Sequence, residues 1–274
     1  YRAFAIDHEY SYSSFMNHFK SELSNLIDRI HKYHISTRKI YENMNDNGMY
    51  PIYKAQFIKM DRQFSTIGIN GLMEAAEFLK LEIKPNSDYS KFCSEVLRTI
   101  SGENKKAREE YKRMFNTEMV PAENLGVKNA KWDKKDGYEV PRECYNSYFY
   151  PVENENLTII DKLMMHGAEV TNELDGGSAV HLNLDDYLDA EQYEKLLDMC
   201  CEIGVNYFCT NVKVTCCEEV GCSHIDKRTL NHCSKCGSKN ISHATRIIGY
   251  LRKVKNFSED RQIEEVKRYY EKKK

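Results

Sequence analysis

Five cysteines crowded into 21 residues, in the segment TCCEEVGCSHIDKRTLNHCSKCGS, constrain this chain more than any other feature of its sequence. Cysteines at that density are either disulfide staples or metal ligands, and the redox compartment decides between them. The opening YRAFAIDHEY has neither the basic start nor the continuous apolar stretch of an export signal. A reducing compartment, the cytoplasm, and a bound metal are therefore expected. The opening also lacks an initiator methionine, as expected of a chain that begins within a longer protein. Cys233-x-x-Cys236-Gly237 is a metal knuckle, whose tight turn lets two thiolates face one ion. Cys217 and Cys222 are the chosen second pair, with four residues between them; Cys216 is the substitute for Cys217, and His224 and His232 are further donors. Four thiolates favour tetrahedral zinc and leave no open coordination position, which makes such a site structural. An iron–sulfur cluster is the competing occupant. Free buried cysteines do not suit a segment that also carries Lys227, Arg228 and Lys235.

The rest of the chain alternates between the two regular periodicities. Phe15, Phe19, Leu23, Leu26, Ile27 and Ile30 recur at helical spacing and predict a long amphipathic helix over 13–33. FSTIGI (64–69) reads as a strand, followed by Asn70, which has the side chain of an N-cap, and the helix formers GLMEAAEFLK. Residues 88–115 are expected to be helical with a break at Ser101 and Gly102, leading to an extended stretch at Thr117–Val120. Pro121 then opens a helix that runs to about Lys135. Helix over 158–166, strand over 179–184, helix over 190–201 and strand over 205–214 complete the pattern. Strand and helix in repeated alternation predict an α/β architecture. The 40 basic and 42 acidic residues nearly cancel, so no overall field favours nucleic acid or an anionic membrane. No apolar run approaches the roughly 20 residues that span a bilayer.

Beyond the knuckle lies SHATRIIGYLRKVKNF, where Gly249 interrupts a β-friendly run. Taken alone, such a glycine marks a bulge or a close backbone approach. In order along the chain, FSTIGINGLMEA (64–75), VPAENLG (120–126), CYNSYFYPV (144–152), GGSAVHLNL (176–184), the knuckle and RIIGYLR resemble the C-terminal part of the anaerobic, class III ribonucleoside-triphosphate reductases. The resemblance implies the later strands and helices of a ten-stranded α/β barrel of glycyl-radical type over 1–214. A zinc ribbon over 215–240 and a radical loop with a C-terminal helix or tail over 241–274 would complete it. It implies reduction of ribonucleoside triphosphates to deoxyribonucleotides. Gly249 would store a radical installed by an S-adenosylmethionine-dependent, iron–sulfur activase. Glycine suits that role because its α-carbon radical flattens and delocalises into both neighbouring peptides, and no side chain crowds the loop.

In that family the radical passes to a cysteine on a finger loop that precedes the matched region. An N-terminal half carrying this cysteine is therefore an expected partner, along with the activase and a second copy of the complete enzyme. VPAENLG resembles the family's phosphate-binding turn, and free amides at a helix start near Ala122 suit an anion. Ala122, Glu123 and Asn124 are the candidates, although Glu123 also fits as an ordinary first-turn acid. Asn146 and Ser147 offer hydrogen-bonding groups to ribose or base and equally suit a turn. A contrasting expectation is a non-enzymatic ribbon that binds nucleic acid or a protein partner through Lys227, Arg228, Lys235, Lys239 and Arg246.

Overall fold

The computed structural model describes residues 12–120, 124–246 and 251–272. The elements run α1 (Tyr12–Asp46), α2 (Pro51–Lys54), β1 (Phe64–Ile69), α3 (Leu72–Phe78), α4 (Ser87–Tyr111) and β2 (Met114–Met119). Then come α5 (Leu125–Lys135), α6 (Ile159–Met165), α7 (Ala168–Thr171), β3 (Val180–Leu184), α8 (Ala190–Ile203) and β4 (Phe208–Val212). The chain closes with β5 (Val214–Cys217), β6 (Ile225–Asp226), β7 (Ile241–Arg246), β8 (Leu251–Lys253) and α9 (Glu259–Lys267).

The α/β alternation holds. β1 pairs parallel with β2, with Phe64 opposite Met114 and Ile69 opposite Met119. β3 pairs parallel with β4. A parallel bridge from Glu118 to Gly177 links the two pairs through the segment leading into β3. β6, β5, β7 and β8 form a separate antiparallel sheet in that order. The described strands thus make two small parallel sheets and one antiparallel sheet. No described helix is long and apolar enough to cross a membrane.

Helix α4 shows why the core sits where it does. Tyr89, Phe92, Cys93, Val96, Leu97 and Ile100 fall on one face at helical spacing and are all buried, packed with Phe15, Met16, Phe19 and Ile27 of α1. Burial pushes the Cys93 thiol up to about 12, as befits a packing residue. Asn86 caps the helix, its side chain accepting from the Tyr89 amide at 2.9 Å.

Two boundaries differ from expectation for the same reason. Helix α1 continues past residue 33 to Asp46, and α4 runs unbroken through Ser101 and Gly102. In both places buried polar contacts do what apolar periodicity does not record. His31 Nε2 meets Asn104 Oδ1 at 2.8 Å, Asn104 Nδ2 donates to Thr117 Oγ1 at 2.8 Å, and Arg38 Nη1 donates to the Gln63 carbonyl at 3.0 Å. These bonds hold the second halves of both helices against β2 and the approach to β1. The cost of a helical glycine, about 1 kcal/mol, is small beside them.

Candidate functional site

The four-thiolate cluster is assembled by one strand end and two turns. Cys217 ends β5, and its amide donates to the His224 carbonyl at 2.8 Å, closing the loop that carries Cys222. The Cys233 amide donates to the Ser238 carbonyl at 2.8 Å and the Gly237 amide returns to the Cys233 carbonyl at 2.9 Å. Gly237 has φ +72°, the left-handed conformation that the knuckle turn demands. The sulfur atoms of Cys217, Cys222, Cys233 and Cys236 all lie within 4.8 Å of one another. The Cys217–Cys236 and Cys222–Cys233 sulfurs are 3.6 and 3.8 Å apart. A tetrahedral ion with Zn–S bonds of about 2.3 Å has S···S edges of about 3.8 Å, so donor set and spacing both fit a metal such as zinc. The Cys236 and Lys235 amides, directed at Cys233 Sγ, pull that thiol down to about 6.

Between the two sequence alternatives, alternation along the strand decides. Neighbouring side chains of β5 point to opposite faces, so Cys216 turns away to pack with Val214 and Ala244 while Cys217 joins the cluster. His224 and His232 are not among the clustered ligands.

A polar cleft lies beyond the C-terminal end of β1, between α3 and α5, lined by Asn70, Glu74, Asn129, Asp133 and Tyr145. After β1, Gly71 takes φ +78° and starts α3, and its amide donates to the Asn146 carbonyl at 2.9 Å. Asn70 is not the expected N-cap. Gly71 occupies that position without a side-chain cap, and Asn70 Nδ2 instead donates to Ser147 Oγ at 3.0 Å. The Asn146 amide donates to Glu74 Oε1 at 2.8 Å. The Tyr145 amide donates to the Gly126 carbonyl at 3.2 Å, which joins this segment to the start of α5 beside Asn124. Three predicted residues, Asn124, Asn146 and Ser147, are thereby brought to neighbouring segments. Asn146 and Ser147 are buried and Asn124 is exposed. Helix α5 begins at Leu125 with Asn124 at its cap position, while Ala122 and Glu123 lie outside the described residues.

Sequence reasoning missed two buried polar atoms in the lining of this cleft. Asn70 Oδ1 and Glu74 Oε2 are buried and have no hydrogen-bond partner among the described residues. Buried polar atoms are normally satisfied, so two unsatisfied ones side by side in a cleft are exceptions that call for an explanation. Glu74 is the most perturbed. Burial pushes its carboxyl up to about 7, although Arg142 and the Asn146 amide pull the other way. Arg142 is itself shared, with Glu77 at 2.5 and 2.9 Å, Glu153 at 2.9 Å and Glu74 at 3.2 Å. Glu77 therefore takes the better geometry and Glu74 the remainder. The signal that could have found Glu74 was an acid on an otherwise apolar helix face, between Met73 and Ala76. His181, set aside as a core histidine, is buried and meets Tyr148 Oη at 3.0 Å; burial drives it down to about 4.

Gly249 lies outside the described residues, as do Ile247, Ile248 and Tyr250. Its flanks are described: β7 and β8 pair antiparallel with Arg246 opposite Leu251. The basic patch of the ribbon is partly engaged, because Arg228 grips Asp226 through Nε at 3.0 Å and Nη2 at 2.9 Å.

An α/β chain with a thiolate cluster in the same sheet that brackets R-x-x-G-Y defines a narrow class. The chain belongs to the anaerobic ribonucleoside-triphosphate reductase family, whose model matches residues 7–270. Among solved structures, an anaerobic ribonucleotide reductase matches 94% of this chain and 42% of its own length, at 27% identity and a TM-score of 0.84. The Thermotoga maritima enzyme in complex with dATP and CTP matches 91% of this chain and 41% of its own at 27% identity, with a TM-score of 0.79. The same enzyme with glycerol in the active site gives 0.80 at 27% identity, with 91% and 41% covered. The chain thus spans about two fifths of the length of the structures it matches. No curated protein sequence matches it.

Proposed function

We propose that this chain is the C-terminal catalytic part of an anaerobic ribonucleotide reductase, an oxidoreductase that converts ribonucleoside triphosphates to 2′-deoxyribonucleoside triphosphates. Gly249 is the radical store in this reading. An S-adenosylmethionine-dependent activase abstracts a hydrogen atom from its α-carbon, and the radical passes to a cysteine supplied by an N-terminal half. That half also supplies the remaining strands of a ten-stranded barrel to residues 1–214, and the complete enzyme pairs as a homodimer. Cys217, Cys222, Cys233 and Cys236 hold a zinc ion, which supplies rigidity to the ribbon (215–240) and, with its coordination filled, no reactive position. The cleft binds substrate: backbone amides around Ala122, Glu123 and Asn124 face the phosphates, and Asn146 and Ser147 face the ribose or base.

One observation carries the reading. A single antiparallel sheet holds Cys217 on β5 and the β7–β8 pair that flanks Gly249. A cross-linked ribbon would therefore brace the strands from which the radical segment departs. The test is anaerobic activation of the chain with its activase, followed by electron paramagnetic resonance. A glycyl doublet that disappears in Gly249→Ala is expected; a doublet unchanged in that variant refutes the assignment.

A further inference from the structure

The cleft between α3 and α5 has a volume of about 210 Å³. Sites that enclose a whole small molecule run from about 300 to 1,000 Å³, so this one takes part of a ligand. Among the described residues no Lys, Arg or His lines it, whereas Glu74 and Asp133 are both acids. Its walls therefore repel a phosphate, and the part admitted is the uncharged one. Trp132 on α5 is 56% exposed and offers ring surface on which a flat heterocycle can lie.

The two unpartnered atoms are of opposite kinds. Asn70 Nδ2 donates to Ser147 Oγ at 3.0 Å and to the Tyr145 carbonyl, which can only accept, at 3.5 Å. The amide is thereby oriented, and Oδ1 is left as an acceptor. Glu74 Oε1 accepts from the Asn146 amide at 2.8 Å and from Arg142 Nη1 at 3.2 Å. The carboxyl proton therefore belongs on Oε2, the atom without a partner. Glu74 is 5% exposed, and its burial raises the carboxyl to about 7, so a large fraction of chains carry that proton at neutral pH. Arg142 and Glu77 act on this carboxyl directly, while Asp133 lies on the α5 side of the cleft and accepts from Tyr145 Oη at 2.5 Å.

One donor beside one acceptor matches the pairing edge of an amino-bearing base. Cytosine presents a ring nitrogen that accepts and an amino group that donates, whereas uracil presents a ring N–H and a carbonyl, the reverse order. We propose that Glu74 and Asn70 read the base of the substrate, Oε2–H donating to the ring nitrogen of cytosine and Oδ1 accepting from its amino group, so that the cleft prefers CTP to UTP. Uracil would set its N–H against the Glu74 hydroxyl and its carbonyl against Asn70 Oδ1, leaving both buried atoms unpaired, which is the costliest kind of mismatch. The assignment rests on the reading of the cleft as the substrate site and is independent of the role of Gly249.

The test is calorimetric titration of the full chain with CTP and UTP at pH 6 and pH 8.5. At pH 6 CTP should bind about fivefold more tightly or better, the lower end of what one well-placed base contact discriminates. At pH 8.5 Glu74 has lost its proton, and the ratio of the two affinities should fall at least threefold. In Glu74→Gln the amide Nε2 replaces the hydroxyl as donor, so the preference should persist at both pH values, a split that a merely structural Glu74 would not produce. The proposal is overturned by a ratio below fivefold in the parent chain at pH 6. It is equally overturned by a ratio that falls less than threefold at pH 8.5, or that falls as far in Glu74→Gln as in the parent. If neither nucleotide binds at millimolar concentration, the substrate reading of the cleft fails and the inference falls with it.

Discussion

Replacing Glu74 by glutamine should change the pH dependence of stability in a direction and over a window that the structure specifies. The side chain is buried, its carboxyl is raised from an ordinary 4.5 to about 7, and burial is the largest cause. Because the folded chain holds this proton more tightly than the unfolded chain does, the folded state binds more protons between pH 4.5 and 7. Stability then falls as pH rises through that window and levels off above it. At about 1.4 kcal/mol per unit of pH, the full loss is roughly 3 kcal/mol. Glutamine keeps an acceptor for the Asn146 amide and cannot ionise. The difference in unfolding free energy, Glu74→Gln minus parent, should therefore grow by roughly 3 kcal/mol from pH 4.5 to pH 8. Urea unfolding of both proteins at half-unit pH steps measures it, and subtraction cancels every group the two chains share. A difference that stays constant within about 1 kcal/mol, or that shrinks with rising pH, would refute the claim that burial outweighs Arg142 at this carboxyl.

Two glycines should respond to alanine in opposite directions. At Gly126 an added Cβ would lie 2.4 Å from the Tyr145 carbonyl oxygen and 3.1 Å from Cys144 Sγ, so Gly126→Ala should cost about 2–3 kcal/mol in chemical denaturation. At Gly102, inside α4, nothing lies within 4 Å, and Gly102→Ala should gain about 0.5–1 kcal/mol by the same measurement. In the ribbon, anaerobically purified chain should carry one zinc per chain by elemental analysis. Cys217→Ser should reduce that below half, and Cys216→Ser should leave it unchanged because Cys216 packs away from the cluster.

What was legible in the sequence follows from how local each signal is. β1, α6, β3 and α8 appear close to their expected places because alternation or helical spacing is complete within each segment; α8 even carries the Asp189–Gln192 capping box in its first turn. The four cysteines that cluster were nameable in sequence because the Cys233–Cys236 knuckle spacing is short-range, whereas the choice of Cys217 over Cys216 needed the strand's facing. Misjudged features depend on distant partners. Asn70 looks like a cap until Ser147, 77 residues later, claims its amide. The second half of α1 is polar in sequence, and its place is set by Asn104 and Gln63. Glu74 is an ordinary helical acid until Arg142 and Asn146 arrive from another segment.

The same long-range logic explains why the chain folds its end back on itself. Arg246, the last described residue before Gly249, is held from several directions. Its amide donates to Asn211 Oδ1 at 3.1 Å, its carbonyl accepts from Arg268 Nη1 at 3.0 Å, and its guanidinium contacts Cys209 Sγ. Asn211 is tied in turn to Asn183 on β3 at 2.9 Å. Arg268 follows α9 and is buried against Glu264 at 2.6 and 2.9 Å; burial pushes that carboxyl up, and the charges of Arg268 and Arg261 outweigh it. Past Arg268, the Glu271 amide and carbonyl bond to Asn183 and Asp185, laying the tail beside the end of β3, where Lys162 Nζ meets Glu271 at 2.7 Å. A buried ion pair is weak evidence of stability, because its desolvation cost rivals its attraction. Its use here is positional: Asn211 of β4 and Arg268 after α9 both bond the peptide groups of Arg246, while the tail is fixed separately along β3.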